Sequence, residues 1–210
     1  MGETENKRFL ILLCASLFAI FIWSAIRPHD LFTWSLEVFP AIIGIILLAL
    51  TYNKFRFTML VYLLVSVHSI ILFIGGHYTY AEVPFFNYLR DTFALDRNYY
   101  DRVGHFAQGF IPAIIAREII LRTTPLRKGK MLFFMIVCIC LAISAFYEFI
   151  EWWVAIGTGT AADSFLGTQG DVWDTQWDMF LAFCGAIAAQ LFVGAWHDRQ
   201  LTTVGAIKTD

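Results

Sequence analysis

Three short stretches of this chain carry side chains able to do acid–base or metal chemistry. Asp101 and His105 stand four residues apart and Gln108 follows three later, so on a helix the three share one face. Glu148 and Glu151 form a second such face, with Ser144 one turn deeper. Asp171, Asp174 and Asp178, at i, i+3 and i+7, form a third stripe. Ala182 and Gly185 continue it with residues small enough for close helix approach. Carboxylates with one or two imidazoles suit Zn²⁺, Mn²⁺ or Mg²⁺. A metal so held can acidify a water for hydrolysis while a spare carboxylate acts as general base. On this reading the ligands are His105, Glu148, Asp174 and Asp178. Glu151 or Asp101 serves as general base or orients the imidazole, and His68, Gln108 and Asp171 are additional candidates.

Charge makes the grouping demanding. Asp101, Glu148, Glu151, Asp174 and Asp178 cannot all be ionised in a partly dehydrated pocket without cations, and Arg97 with Arg102 could neutralise about two. Simpler roles exist for some of these residues. Asp101, Asp171 and Asp174 suit helix N-termini, and His105 and His68 suit hydrogen bonds between helices. Arg117 and Glu118, near a membrane face, are explained by snorkelling, and His77 and His197 fall at interfaces. Glu148 and Glu151 together have no such simple role.

The elements that must position these groups are membrane spans. Of the 210 residues 59% are hydrophobic and 15% charged, with 21 Phe, and mean hydropathy is +0.64. A soluble domain carries about 25% charge. Uncharged runs reach from Phe9 to Ile26, from Val38 to Asn53, and from Phe57 up to Glu82. Disorder, a secreted disulfide scaffold and a soluble enzyme are excluded. No basic cluster is large enough for nucleic acid. Cys14, Cys138, Cys140 and Cys184 fall in apolar runs and read as buried packing thiols.

A span needs about 20 mostly apolar residues, and the chain offers six, roughly 9–26, 36–52, 57–76, 101–121, 131–154 and 174–196. The fold class expected is an all-α polytopic membrane bundle, one integral membrane domain over 1–210. The first span is long for a signal-peptide core and no cleavage site follows it, so it is an anchor. With the N-terminus inside, ten Lys and Arg, from Lys7 to Lys208, fall on inner segments. Arg27, Arg90, Arg97 and Arg102 fall on outer ones, so both termini are expected in the cytoplasm. Residues 84–95 place Phe85, Phe86, Leu89 and Phe93 at helical spacing, a candidate interfacial helix. At 1.5 Å per residue, His105 and Asp178 lie roughly 6 Å below the outer helix ends and Glu148 roughly 9 Å. His68, at roughly 12 Å, joins the same slab from below.

The stretches Asp101-Arg-Val-Gly-His105-Phe, Tyr147-Glu-Phe-Ile-Glu151-Trp-Trp and Gly167-Thr-Gln-Gly-Asp171-Val-Trp-Asp174-Thr-Gln-Trp-Asp178-Met resemble the YjdF-type family of bacterial inner-membrane proteins. More distantly they look like the VanZ-like superfamily. That pattern has Asp-x-x-x-His, then Glu-x-x-Gln, then Asp-x-x-x-Asn opening a Gly-rich helix. This chain departs from it with Glu151 for Gln and Asp178 for Asn, and it lacks a basic residue in the loop before the last helix. Each departure makes the pocket more acidic, which favours a cation. The resemblance implies a bacterial inner-membrane location and a cell-envelope role. The aspartate spacing also matches parts of the membrane prenyltransferase and CDP-alcohol phosphotransferase motifs, but the remaining parts of both are missing.

Two functions follow as expectations. One is a metal-dependent membrane hydrolase acting on a lipid or lipid-linked envelope precursor from an outer-facing acidic and histidine pocket. The other is a non-catalytic transporter or lipid- or cation-binding membrane protein using the same pocket. Below Ser144 and Asp178 the helices are apolar, so a pocket open on one side fits better than a transport path.

Overall fold

The computed structural model describes residues 3–203, and these form helices and short turns with no strand among them. Lys208 lies outside the described residues. Six long helices run back and forth: α1 (Glu3–Ala25), α2 (Leu31–Thr51), α3 (Met59–Tyr78), α5 (Tyr100–Thr123), α6 (Lys130–Thr158) and α8 (Asp174–Phe192). Three short ones connect or extend them: α4 (Pro84–Phe93), α7 (Asp163–Leu166) and α9 (Gly194–Thr203). Helices α2, α5 and α8 begin at one end of the bundle, called here the site end. Helices α1, α3 and α6 begin at the other, the far end.

Helices α1, α2, α3 and α6 are long and apolar enough to cross a membrane. A fifth span results if α8 and α9, bent by 57°, are taken as one. Helix α5 is equally long, but Asp101, Arg102, Arg117, Glu118 and Arg122 lower its hydropathy. It runs between α3, α6 and α8, where protein groups rather than lipid receive those charges.

Several boundaries differ from the sequence expectation for identifiable reasons. Helix α2 starts at Leu31, not near residue 36, because the Asp30 carboxylate accepts a hydrogen bond from the Thr33 backbone N–H at 2.6 Å. That bond holds the Asp30 carboxyl below its ordinary range. The earlier start carries Glu37 nearly two turns into the helix, where it is buried. The last span ends at Phe192, and the chain bends there into α9. The segment expected near 84–95 is helical over Pro84–Phe93. None of its residues is fully buried: Phe86 packs on Tyr100, while Phe85, Tyr88 and Phe93 stay exposed. Of the four cysteines only Cys140 is buried. Cys14 and Cys138 face outward instead, as apolar thiols can in a lipid-facing surface.

The tightest contact joins α5 to α8, which run in the same direction. A Cβ on Gly109 would overlap the carbonyl of Ala182, and one on Gly185 would overlap the carbonyl of Phe106. Ala182, Ala186 and Ala189 are wholly buried along the same seam. Small residues let the two backbones touch, the usual device for packing helices in lipid. At the far end the core gathers Leu60, Val61, Ile114, Ile136 and Cys140. A second core, with Val38, Phe73, Tyr80, Val83 and Tyr100, lies beneath the site end.

Gly109→Ala and Gly185→Ala should each lower the unfolding free energy in detergent by about 1–3 kcal/mol, the cost of overpacking. Gly44→Ala, whose added methyl meets nothing within 4 Å, should raise it by about 0.5–1 kcal/mol through helix propensity. Thermal unfolding of the three variants beside wild type checks this. Equal behaviour of all three would remove the close-packing argument.

Candidate functional site

Two guanidiniums anchor the site end. Arg97 precedes α5, and its Nη1 donates to Asp174 Oδ1 at 2.7 Å and to Asp171 at 3.4 Å. Arg102, in the first turn of α5, donates to the same Asp174 oxygen at 2.7 Å, to Asp171 at 3.0 Å, and to Asp178. The α8 stripe is thus clamped to the start of α5 by charge-assisted hydrogen bonds from planar, multidentate donors. Register follows from the seam below, which sets α8 beside α5 at the right height.

The loop entering α8 is fastened to the same corner. Gln169 and Asn98 exchange two bonds, the Asn98 N–H to the Gln169 side chain at 2.9 Å and the Gln169 amide to the Asn98 carbonyl at 2.9 Å. Asn98 Nδ2 also donates to the Val83 carbonyl and the Asn87 side chain. Arg97 Nη2 reaches the Gly167 carbonyl at 3.1 Å. Gly167 and Gly170 take the positive φ that folding this loop back requires.

Below this lattice lies a cavity of about 250 Å³ between α2, α3, α5 and α6. Glu37, Tyr80, Asp101, His105, Tyr147 and Glu151 face it, with Pro40, Leu72, Pro112 and Ile143 as apolar wall. The Tyr80 ring is gripped between Gly75 and Gly104, neither of which has room for a Cβ, and its hydroxyl interacts with the Glu37 carboxyl. His105 is the hub. Its Nδ1 lies 3.1 Å from Gln108 Oε1, while Nε2 lies 3.3 Å from Asp101 and 3.7 Å from Asp178. Donor atoms of Asp101, His105 and Asp178 all lie within 4.8 Å of one another, and so do those of His105, Glu148 and Glu151.

The structure therefore brings together His105, Asp101, Asp178, Glu148 and Glu151, with Gln108 on the imidazole and His68 lining the floor. Asp174 belongs to neither donor group. One of its oxygens is shared by the two guanidiniums of Arg97 and Arg102; Asp178 Oδ1 also accepts from Arg102 but faces His105 as well. Asp171 is likewise held by Arg97 and Arg102, at the edge of the lattice. Glu37, Tyr80 and Tyr147 were not singled out from sequence. The Asp30-x-x-Thr33 cap could have placed Glu37, and the glycines at 75 and 104 mark a ring packed between them.

A second buried polar cluster, at the far end, overturns the snorkelling and interface readings of Arg117, Glu118 and His197. Glu118 and His197 are wholly buried. Glu118 accepts from the Thr58 N–H and hydroxyl, from Arg122 and from His197 Nε2 at 3.0 Å. Arg117 pairs with Asp198 at 2.6 Å and touches His197 Nδ1 at 3.2 Å. Each Glu118 oxygen has a partner, so this cluster ties α3, α5 and α9 together and leaves that carboxylate nothing to offer a ligand.

An all-helical bundle with several apolar spans and a buried polar centre is the architecture of a multi-pass membrane protein. The chain belongs to the DUF2238 family, described as a predicted membrane protein, whose model matches residues 9–199. It is 48% identical over 207 residues, 99% of both chains, to inner membrane protein YjdF of Escherichia coli (strain K12). It is accordingly a multi-pass protein of the bacterial inner membrane. No solved structure matches it.

Arg102→Ala should cost about 3–5 kcal/mol, since it strands buried carboxylates. Asp171→Asn, at a partly exposed position, should cost under about 1 kcal/mol. Equal losses in thermal unfolding would show that the lattice is not what holds α8 to α5.

Proposed function

We propose that this protein is a divalent-metal-dependent hydrolase acting on a lipid or lipid-linked envelope precursor. The observation that carries the reading is His105 standing between two carboxylate groups that still have buried oxygens without a hydrogen-bond partner. Those oxygens are Glu148 Oε1, which also has no ion pair among the described residues, and Asp101 Oδ2, which has no hydrogen bond and only ion-pair contacts at 3.6 Å to Arg97 and Arg102. Both residues are more than nine-tenths buried. Buried oxygens of this kind are costly unless a proton or cation satisfies them. Arg97 and Arg102 do not balance the remainder: Glu37, Glu148 and Glu151 form no ion pair with a guanidinium among the described residues.

The donor set fits a Zn²⁺, Mn²⁺ or Mg²⁺ ion held by His105, Asp101 and Asp178. Bound there, such an ion would lower the pKa of a water and polarise the scissile ester. Gln108 fixes the imidazole: with Nδ1–H donating to its side-chain oxygen, Nε2 keeps a lone pair turned toward Asp101 and Asp178. Glu151, across the imidazole, is the general base. It takes the proton of water as the water oxygen bonds to the ester centre, and returns it to the departing oxygen as that bond breaks. Glu148 sits beside it within the same donor group. A transport path finds no support, because between Gln108 and Arg117 α5 buries only Gly109, Ile111, Ala113 and Ile114.

Elemental analysis of detergent-purified protein tests this. Wild type and Asp171→Asn should carry near-stoichiometric metal, His105→Ala and Asp178→Asn should lose it, and Gln108→Ala should weaken binding by about 10–100-fold. No metal in wild type after dialysis against all three ions would sink the hydrolase. The acidic chamber would then serve the non-catalytic reading, binding a cation or amine.

A further inference from the structure

A second cavity, of about 360 Å³, lies directly against the chamber, with Pro40, His68 and Leu72 in the walls of both. It runs between α2, α3 and α5 toward the far end, from Pro40 to Thr51 on α2 and from Ile111 to Ile119 on α5. Eleven residues of helix make it about 16 Å long, close to half of the roughly 30 Å hydrocarbon core of a bilayer. Its walls are apolar even where the residues are not. The Ser69 hydroxyl donates to the Val65 carbonyl at 2.9 Å and the Thr51 hydroxyl to the Leu47 carbonyl at 2.7 Å, so neither faces the groove unsatisfied. Leu47 and Ile119 are exposed along its rim, which opens it sideways to the bilayer. Gly44 lines it, and a Cβ there would meet nothing within 4 Å. Space is therefore left where a side chain could have filled it.

We infer that this groove seats one hydrocarbon chain of a membrane lipid whose polar head lies in the His105 chamber. The inference rests on the chamber being the headgroup site of the proposed reaction, and it does not depend on a metal being bound. Three features argue for that occupant over general lipid contact. The groove's upper end abuts the polar chamber at Pro40, His68 and Leu72, its length is that of a chain in one leaflet, and the chain direction is that of a lipid in place. His68 stands at the joint with no hydrogen-bond partner among the described residues, where the polar and apolar parts of such a ligand meet. Any second chain would remain in the bilayer beyond Leu47 and Ile119.

The test is photo-crosslinking in nanodiscs doped with a phosphatidylethanolamine that carries a diazirine at the end of one acyl chain, with labelled peptides mapped by mass spectrometry. Its ammonium head suits an acidic chamber with or without metal. Wild type and Gly44→Ala should be labelled chiefly on the α2 and α5 walls near Thr51 and Ile119. Gly44→Phe should lose about tenfold of that label, the effect of forfeiting roughly two buried methylenes. Ile115→Trp, which fills the groove from the opposite wall, should do the same if Gly44→Phe does not fold. Even labelling of all lipid-facing helices, or unchanged labelling in both filled variants, would overturn the inference. His105→Ala separates the two readings, since it should lose metal and keep the groove label. Groove labelling without metal in wild type would leave the seat standing and remove the hydrolase.

Discussion

The polar architecture depends on one contact, the backbone-to-backbone approach of α5 and α8 at Gly109 and Gly185. In lipid there is no hydrophobic force to press two apolar helices together. What holds them is dispersion between closely fitting surfaces together with polar bonds across the seam. The glycines supply the first. The second is the lattice of Arg97 and Arg102 on Asp171, Asp174 and Asp178, which forms only when the helix starts are level. Each half needs the other: without the seam the carboxylates sit too far from the guanidiniums, and without the lattice the bare backbones gain little by touching.

Two buried polar clusters lie on α5, and they differ in a way that separates structure from chemistry. At the far end Glu118 meets a hydroxyl, a backbone N–H, a guanidinium and an imidazole, and it has nothing left to bond. At the site end the guanidiniums are consumed by α8. Glu148 keeps an oxygen without a hydrogen-bond partner, Asp101 keeps one with only 3.6 Å ion-pair contacts and no hydrogen bond, and the His105 imidazole is shared among several carboxylates. Removing charges from water costs several kcal/mol per ion unless the partners are complete. On the proposed reading a ligand completes the site-end set, whereas the far-end set, already complete, serves assembly.

Much of this was legible in the sequence because helical spacing is rigid. The stripes Asp101–His105–Gln108 and Asp171–Asp174–Asp178 needed only the 3.6-residue period, and the apolar runs needed only the thickness of a bilayer. Partner choice was another matter. That Asp174 would face two guanidiniums while Asp101 turned to His105 depends on how α8 is rotated against α5, which the spacing on either helix leaves open. Glu37 was hidden by a boundary: a span read as 36–52 leaves it at the very end, whereas the Asp30 cap begins the helix five residues sooner and carries Glu37 inward. Arg117, Glu118 and His197 seemed peripheral because hydropathy measures distance from a membrane face and is blind to what packs beside a residue there. Their partners, Thr58 and Asp198, lie about 60 and 80 residues away in the chain.

The loop before α8 has a bearing on how anything arrives at the chamber. Phe165 lies buried against it, and Gln169 is bonded in both directions to Asn98, so the aqueous end of the bundle is roofed over by a fastened segment. The exposed rim of the adjoining groove, at Leu47 and Ile119, lies on an apolar flank instead. On the proposed lipid-chain reading, a molecule reaching His105 without unfastening that roof would travel within the membrane plane, and its supply would be set by its surface density among the lipids. Its concentration in the surrounding water then matters only through partitioning.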